Sequence, residues 1–492
     1  MTVRVVLPLP LDQPFTYLVP AEMAREAQVG ARVLVPFRHR RLTGLVVERT
    51  EEEALGDFVK LRPILDVLDD APAFTEELLR LTRWIADYYV CGWGEAVKAA
   101  LPAGIEVEDK RRIVRTGAPA GAAWQEHEAA AAVLRYLAAH PETTLSALRQ
   151  QGLDVPLALL RRLEEAGIVE TARELAKPKV RVKHAPHLRL APAYRAPGAV
   201  RDLREQLRGA KQIAVLEALA AYAAEGEPLP RRADVLARAG AAAATANRLV
   251  EMGVVEVVEQ EVLRTPLGDI PPPPPPPDHA FHPAQQAALE RIGAAIAAGT
   301  FETFLLHGVT GSGKTEVYIA ALKAVVARGK TGIILVPEIA LTPQTVQRFR
   351  AHFGDRIAVL HSRMSLGERY DAWRSLRSGR FQIVIGPRSA VLAPVSCLGL
   401  VVVDEEHEAS YKQFDPAPRY HARDVAVVRA QMNGAVCVLG SATPSLESYR
   451  NARTGKYTLL PMPKRVPVRG HAAAPLPEVA VVDLVLERRS EE

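Results

Sequence analysis

The feature that most constrains the fold is a glycine-rich loop between an apolar segment and a helix-forming segment. Residues 308–315 read GVTGSGKT and fit the spacing G-x-x-x-x-G-K-[ST]. The preceding FLLHG favours a buried strand, and the following EVYIAAL favours a helix. Glycines let backbone N–H groups turn inward around an anion, and the helix directs its positive end toward that anion. A strand, loop and helix of this kind indicate an α/β fold.

Five further apolar segments, rich in β-forming residues, are separated by stretches that include helical ones. They read GIILVPE, IAVLHS, FQIVIGPR, LVVVDEE and VCVLGSATP. Buried parallel strands read as near-continuous apolar runs, and ligands bind at their carboxyl ends. The sequence therefore predicts a P-loop lobe with a largely parallel sheet over residues 281–460, with its polar motifs along one edge of that sheet.

The polar residues at these strand ends suit the hydrolysis of a nucleoside triphosphate. Lys314 is expected to reach the β- and γ-phosphates, and the Thr315 hydroxyl to ligate Mg²⁺. Asp404 ends an apolar strand, where it can hold Mg²⁺ through water, and Glu405 can orient and deprotonate the attacking water. His407 is either a sensor of the nucleotide or an ordinary surface histidine. The loop residues expected around the phosphates are Gly308, Gly311, Ser312 and Gly313.

Seven consecutive prolines at residues 271–277 mark the clearest domain boundary. Such a run adopts polyproline II and acts as a semi-rigid spacer, the alternative being a ligand for SH3- or WW-type domains. The fold class predicted is multidomain α/β. The divisions are 1–105 for a small β domain, 115–180 and 200–265 for two winged-helix-like segments, 266–280 for the proline-rich linker, 281–460 for the P-loop lobe, and 461–492 for a tail.

The first sixty residues contain short β-forming runs broken by proline and glycine, which predicts the small β domain. A helix is expected over residues 74–90, because Leu78, Leu81 and Ile85 recur at helical spacing. The basic stretch at residues 38–41 lies between two strand candidates. It is either a phosphate contact or a solvated hairpin tip.

Each winged-helix-like segment begins with three helical stretches. A glycine and a short β-forming stretch come after them. Winged helices commonly bind DNA, although they also serve as protein–protein modules. The pairs Arg161-Arg162 and Arg231-Arg232 are weak arguments for DNA contact.

The three cysteines, Cys91, Cys397 and Cys437, form no CxxC pair, so neither a disulfide framework nor a local zinc site is expected. We expect them to be small buried hydrophobic residues. A net charge of +5 permits a nucleic acid partner. No apolar run is long enough to cross a membrane and no signal peptide is recognised, so a cytoplasmic location is expected.

Several motifs together resemble a known family. GSGKT, DEEH and SAT, in this order, resemble superfamily 2 helicases. GVTGSGKTEVY, VPEIALTPQ, DEEHEASYKQ, RYHARDVAVVRA and LGSATPSLES resemble the PriA family of primosomal replication-restart helicases. The N-terminal VLPLPLDQPFTYLVP resembles that family's domain for the DNA 3′ end. The resemblance implies a RecA-like lobe that uses ATP and Mg²⁺.

It also implies roles for particular residues of the lobe. Gln285 would contact the adenine. The segment that would couple the nucleotide state to DNA consists of Ser441, Ala442 and Thr443. His407 would transmit the nucleotide state to the DNA-binding side. The family's aromatic-rich loop corresponds to residues 411–420. Within it the aromatic side chains would stack on single-stranded DNA and the arginine would bind phosphate: Tyr411, Phe414, Arg419 and Tyr420.

In the N-terminal domain, the resemblance implies that Phe15 and Tyr17 stack on a terminal base. The family often has an acidic residue between these two aromatics, where this chain has Thr16. Recognition of the 3′ end through a carboxylate is therefore not expected here.

The resemblance implies an ATP-dependent 3′→5′ helicase that restarts stalled replication forks. Its partners would be branched or forked DNA, single-stranded DNA, single-strand-binding protein, and primosome and helicase-loader proteins, with no membrane. Two alternatives are a fork-binding scaffold without unwinding and a P-loop transcription regulator. Because the family's second lobe, arginine finger and zinc-binding cysteines find no match in these 492 residues, weak ATP binding and very slow hydrolysis are expected.

Overall fold

A computed structural model describes residues 1–38, 40–50, 61–69, 71–105, 109–119, 121, 124, 127–144, 147–148, 151–153, 155, 157–175, 180, 182–196, 199–227, 229–266, 272–276 and 280–466. The chain divides into two compact units. One comprises Met1–Lys179 and Asp269–Glu492, and the other comprises Val180–Gly268.

The N-terminal strands form an antiparallel sheet in the order β2-β1-β4-β3-β5. On β1, Val3 and Val5 are buried, whereas Arg4 between them is exposed and pairs with Glu48 across the strands at 2.9 Å. This alternation is typical of a strand with one face in the core. The small β domain predicted at the N terminus is confirmed. Its strands are β1 (Thr2–Val6), β2 (Phe15–Leu18), β3 (Arg32–Phe37), β4 (Arg40–Thr50) and β5 (Asp66–Val67).

Two helices follow this sheet and pack into the core of the larger unit. Thr75 caps the first helix, because its side chain accepts a hydrogen bond from the Leu78 N–H at 3.2 Å. Leu78, Leu81 and Ile85 are fully buried, as their spacing predicted. The same core includes residues of the C-terminal parallel sheet. The helices are α1 (Glu76–Tyr88) and α2 (Trp93–Ala100).

The first winged-helix-like segment combines helices with a small antiparallel sheet in the order β7-β6-β8. Leu137 and Leu160, one from each helix, pack in a separate core with Ile113 of the sheet. The elements are β6 (Asp109–Arg115), α3 (Glu128–Ala139), β7 (Glu142–Thr144), α4 (Leu157–Glu165) and β8 (Val169–Leu175). The Arg162 guanidinium lies over the Trp124 ring, and the Arg161 side chain lies outside the described residues.

The described residues of the smaller unit form four α-helices and a two-stranded antiparallel sheet around a core of their own. Arg232 donates from Nη2 to the side-chain Oδ1 of Asn247 at 2.9 Å and so links two of its helices. The elements are β9 (His184–Leu190), α5 (Ala199–Gln206), α6 (Ala210–Ala224), α7 (Arg232–Ala239), α8 (Ala243–Glu251) and β10 (Val255–Glu261). Residues 272–276 of the proline run form neither helix nor strand.

The C-terminal part of the larger unit contains a seven-stranded, wholly parallel sheet in the order β13-β14-β12-β15-β16-β11-β17. The predicted multidomain α/β class with a parallel sheet is confirmed. The strands are β11 (Glu302–Gly308), β12 (Thr331–Leu335), β13 (Ile357–Val359), β14 (Ile383–Gly386), β15 (Leu398–Asp404), β16 (Val436–Ser441) and β17 (Thr458–Met462). The helices are α9 (Pro283–Ala298), α10 (Lys314–Val326), α11 (Pro343–Phe353), α12 (Leu366–Arg377), α13 (Ala422–Met432) and α14 (Leu446–Arg453).

The strand order places three polar motifs side by side. Strand β16 pairs with β11 on one side and with β15 on the other, and Asp404 lies opposite Gly440. Gly440 must lack a side chain, because a Cβ there would lie 1.7 Å from the Tyr318 hydroxyl oxygen. The ends of β11, β15 and β16 therefore meet at one edge of the sheet.

The cysteine prediction is right for Cys437, which is buried, and wrong for Cys397, which is exposed, whereas Cys91 is half-buried. Cys397 immediately precedes β15 and has a φ of 51°, outside the regular strand. Within the described part of the chain, no helix has the length and apolarity needed to cross a membrane.

Candidate functional site

The loop between β11 and α10 depends on glycine conformations. Gly311 and Gly313 both have a φ of 81°, in the left-handed region that glycine favours. A Cβ at Gly313 would lie 2.2 Å from Gln285 Nε2. The glycine positions of the motif thus allow both the tight turn and the close approach of α9.

The residues of this loop fit a nucleotide phosphate. Lys314 begins α10 and is buried, and its Nζ donates to the Gly308 carbonyl oxygen at 2.9 Å. The hydroxyl of Ser312 is buried without a hydrogen-bond partner among the described residues. A phosphate oxygen at this helix N-terminus would satisfy that hydroxyl and would accept from Lys314.

Gln285 lies against the loop rather than open to a base. Its side chain is 2% exposed and donates to the carbonyl oxygens of Ser312 at 3.4 Å and Gly313 at 3.3 Å. Its own amide oxygen accepts from the His282 N–H at 2.8 Å. In this conformation the Gln285 amide is hydrogen-bonded within the protein, and the adenine contact that the resemblance implies stays a prediction.

Thr315 and Asp404, the predicted Mg²⁺ residues, line the same cavity, whose volume is about 230 Å³. The Tyr318 hydroxyl donates to Asp404 Oδ1 at 2.9 Å and orients the carboxylate. Burial, followed by the charge of Glu405, raises the pKa of the Asp404 carboxyl above its ordinary value. Hydroxyl and carboxylate oxygens are suitable ligands for Mg²⁺.

Glu405 has an unusual backbone conformation for a residue other than glycine, with a φ of 46°. Its neighbours hold it on both sides. The Asp404 carbonyl oxygen accepts from the Tyr411 hydroxyl at 2.7 Å, and the Glu406 N–H donates to Gly440 at 3.0 Å. Such conformations cluster at functional sites, where the surrounding structure maintains them.

The structure brings His407 together with the Ser-Ala-Thr segment. His407 Nδ1 lies 2.8 Å from Ser441 Oγ, and its Nε2 lies 3.5 Å from Thr443 Oγ1. Ser441 Oγ also accepts from the Thr443 N–H at 3.0 Å, across Ala442. The half-exposed His407 ring therefore connects the acidic strand end with the segment that the resemblance assigns to coupling.

The aromatic-rich loop exposes one of its three aromatic rings. Phe414 is 71% exposed, whereas Tyr411 and Tyr420 are each 1% exposed and belong to the core. Arg419 donates from Nε to the Phe414 carbonyl oxygen at 2.8 Å and so closes the loop tip. The expectation that Tyr411 and Tyr420 stack on DNA does not hold in this structure, because no base can reach buried rings.

A similar correction applies to Tyr17 in the N-terminal domain. Tyr17 is 5% exposed, and its hydroxyl donates to the Pro36 carbonyl oxygen at 3.2 Å. Phe15 is half-buried and packs edge-on against Phe37 at 5.0 Å between ring centroids. Tyr17 is thus part of the core of the small sheet and does not present a face for a terminal base.

The basic stretch at residues 38–41 lies at the tip of the hairpin between β3 and β4, where Phe37 pairs with Arg40. Arg40 and Arg41 are exposed. His39 lies outside the described residues. The basic stretch therefore lies at a hairpin tip, as one of the two interpretations predicted. Its exposed arginines are accessible to a phosphate, and the phosphate contact stays a prediction.

A groove of about 710 Å³ lies between the N-terminal domain and the parallel-sheet lobe, within the larger unit. Its wall includes Phe414 and residues that follow strands β12, β13 and β14 at their carboxyl ends. The positively charged side chains on its described wall are Arg369, Arg388 and Lys412, and the acidic one is Glu338. Burial lowers the pKa of His361, which also lines the groove. The groove suits a polyanion with exposed apolar surface, such as a single DNA strand.

Sequence reasoning missed Glu406. Its carboxylate is fully buried and accepts hydrogen bonds from Ser445, Ser448 and Arg423. The sequence shows only a third acidic residue after an apolar strand, and these partners lie 17 to 42 positions away in the chain.

Comparisons with known proteins agree with this geometry. Residues 4–102 match the 3′ DNA-binding domain (3′BD) of PriA, and residues 282–452 match the DEAD/DEAH box helicase family. The replication restart protein PriA of Bacillus subtilis is 35% identical over 98% of this chain and 57% of that protein. PriA of Synechocystis is also 35% identical, over 96% of this chain and 55% of that protein. The chain thus spans just over half the length of the curated relatives it matches.

Among solved structures, RecG bound to a three-way DNA junction matches 40% of this chain and 25% of that chain, with a TM-score of 0.30 and 22% identity. A likeness of this size carries no argument about function.

The parallel sheet, the glycine loop and the acidic strand end define a nucleotide-binding lobe of the DEAD/DEAH box helicase class. The 3′ DNA-binding domain that precedes this lobe points to one family within that class. Over nearly its whole length the chain is similar to the PriA replication restart proteins.

Proposed function

We propose that this chain is the fork-recognising and ATP-using part of a replication-restart protein. In the complete family form it unwinds DNA in the 3′→5′ direction with ATP, so that the replicative helicase can be reloaded. The observation that carries the proposal is the hydrogen bond between His407 and Ser441, at 2.8 Å. It joins the predicted hydrolysis residues to the segment expected to respond to DNA.

We infer the following division of roles in the nucleotide site. Lys314 binds the phosphates, Thr315 and Asp404 hold Mg²⁺, and Glu405 orients the attacking water. When bound, Mg²⁺ supplies positive charge that stabilises the charge developing on the phosphoryl oxygens. Ser312 contributes its hydroxyl to the phosphate oxygens.

We further infer that the groove beside Phe414 receives single-stranded DNA and that the N-terminal domain contributes to recognition of branched DNA. The excess of basic side chains on the groove wall supports this assignment. The other partners that we propose are single-strand-binding protein, the primosome and helicase loaders. The proposed location is the bacterial cytoplasm, at the nucleoid.

The test is ATP hydrolysis by the full chain with and without forked DNA, with Lys314→Ala as the blank. We expect turnover above the blank that forked DNA stimulates. Lys314→Ala should lose nucleotide binding and keep most of its affinity for forks, because Lys314 contacts the phosphate loop and not the groove. Fork binding without ATP turnover would mean that the chain acts as a fork-binding scaffold and not as a motor. Absence of both would overturn the proposal.

A further inference from the structure

Glu406 combines complete burial with a saturated set of hydrogen bonds. Its side chain is 0% exposed. Oε1 accepts from the Ser445 N–H at 2.7 Å, and Oε2 accepts from the hydroxyls of Ser445 at 3.0 Å and Ser448 at 2.8 Å. Arg423 Nη1 lies 3.2 Å from Oε2 and supplies the opposite charge. A buried carboxylate needs such partners, since an unpaired buried charge is strongly destabilising.

The partners of Glu406 come from separate elements. Arg423 lies in the first turn of α13, and Ser445 is the residue that caps α14. Arg423 Nη1 also donates to Ser445 Oγ at 2.7 Å, so the two partners are connected to each other. Glu406 therefore joins the end of β15 to the beginnings of two helices that pack on the same sheet.

This junction lies directly beside Glu405. A left-handed backbone conformation at a residue other than glycine costs about 1–3 kcal/mol and persists only where its surroundings impose it. If Glu405 relaxed to an ordinary conformation, the Glu406 side chain would turn away from its four donors. The Glu406 network thus opposes that relaxation.

We propose that Glu406 is a positioning residue for the nucleotide site, acting with Arg423 to hold Glu405 in the orientation it needs toward the attacking water. The inference rests on the proposed function in one respect, namely that Glu405 orients that water. Glu406 itself touches neither the phosphate loop nor the groove, and it acts through the backbone of its neighbour.

The experiment replaces Glu406 with Gln in the full chain and measures steady-state ATP hydrolysis in the presence of forked DNA. Gln keeps the size and one acceptor oxygen but loses the charge paired with Arg423. We expect kcat to fall about 10–100-fold, as small displacements of reacting groups do. The KM for ATP should stay within about two-fold, since the phosphate contacts are unchanged.

Glu77→Gln is the matched control. Glu77 forms another buried ion pair with an arginine of α13, because Arg429 Nε and Nη2 each lie 3.0 Å from its carboxylate. It is on α1, remote from the nucleotide loop in sequence and absent from the cavity that Asp404 lines. Glu77→Gln should lower the melting temperature comparably, with kcat unchanged at a temperature well below melting.

A second readout is hydrogen–deuterium exchange of the backbone amides at residues 404–408. Glu406→Gln should speed their exchange, and Glu77→Gln should not. An unchanged kcat in Glu406→Gln, an equal loss in both variants, or a change confined to KM would each overturn the inference. If the wild-type chain hydrolyses no ATP above the Lys314→Ala blank, the proposed function fails on its own. In that case the exchange at residues 404–408 still tests the positioning role of Glu406. Exchange in Glu406→Gln equal to that of the wild type would refute it.

Discussion

Burial decides which aromatic side chains of residues 411–420 can meet a nucleic acid base. Tyr411 and Tyr420 lie in the core, where the Tyr411 hydroxyl supports the backbone of Asp404. Phe414 lies at the loop tip, with its backbone held by Arg419 and its ring on the groove wall. A loop tip that is held by a hydrogen bond and exposes a single ring is suited to stacking, because less ordering is needed when a base binds.

Replacing Phe414 with Ala should weaken the binding of single-stranded DNA by about 1–3 kcal/mol, the usual contribution of a base stacked on an aromatic ring. Fluorescence anisotropy with a labelled oligonucleotide, at fixed salt concentration, measures the change. Tyr457→Phe is the control and should leave the affinity unaltered, because Tyr457 does not line the groove. Equal affinities of Phe414→Ala and wild type would remove Phe414 from the DNA-binding surface.

At the scale of elements, α13 links the two functional regions of the larger unit. Its first turn carries Arg423, which binds Glu406 near the nucleotide site. Further along, Arg429 is fully buried and binds Glu77 on α1 of the N-terminal domain. The His421 N–H just before α13 also donates to the Tyr89 hydroxyl at 3.1 Å. These contacts hold the N-terminal domain and the nucleotide-binding lobe together through one helix.

Breaking the buried Arg429–Glu77 pair on one side only should be strongly destabilising, because it leaves a buried charge. Arg429→Met leaves the Glu77 carboxylate without its charged partner and should lower the stability of the larger unit by about 3–5 kcal/mol. Differential scanning calorimetry of the full chain would show the transition of that unit at a lower temperature. Adding Glu77→Leu should restore much of the loss, since no buried charge then remains unpaired. A double variant as unstable as the single one would assign the effect to lost packing instead.

At the scale of the whole molecule, the chain consists of two units, and the smaller one interrupts the larger in sequence. The smaller unit has its own apolar core, with Leu188, Val215 and Leu249 fully buried or nearly so. Its two strands pair along their full length, from Val255 opposite Leu190 to Glu261 opposite His184. A segment that has its own apolar core, and whose two strands pair with each other, meets the requirements for independent folding.

We therefore expect residues 180–268, expressed alone, to fold and to melt in one cooperative transition. Circular dichroism would report helical signal and the melting curve. Leu249→Ala in the same fragment should cost about 2–5 kcal/mol through the cavity it leaves. A broad, non-cooperative melt of the unaltered fragment would show that this unit depends on the rest of the chain.

Local sequence was sufficient to predict the elements and the motifs of the nucleotide site. The apolar runs predicted the parallel sheet, because buried parallel strands need apolar side chains on both faces. The glycine spacing predicted the loop that Gly311 and Gly313 form, because few other residues adopt its backbone angles. The helical spacing of Leu78, Leu81 and Ile85 predicted α1 and its buried face for the same local reason.

Tertiary structure alone decided which polar and aromatic side chains are available. Tyr17, Tyr411 and Tyr420 look like DNA contacts in sequence, yet packing buries them, and Gln285 is used within the phosphate loop. Glu406 looked unremarkable in sequence, and only the approach of α13 and α14 gives it four donors. Burial and long-range pairing depend on residues far apart in the chain, so motifs read one segment at a time do not contain them. The sequence determined the chemistry present at the strand ends, and the fold determined which residues can perform it.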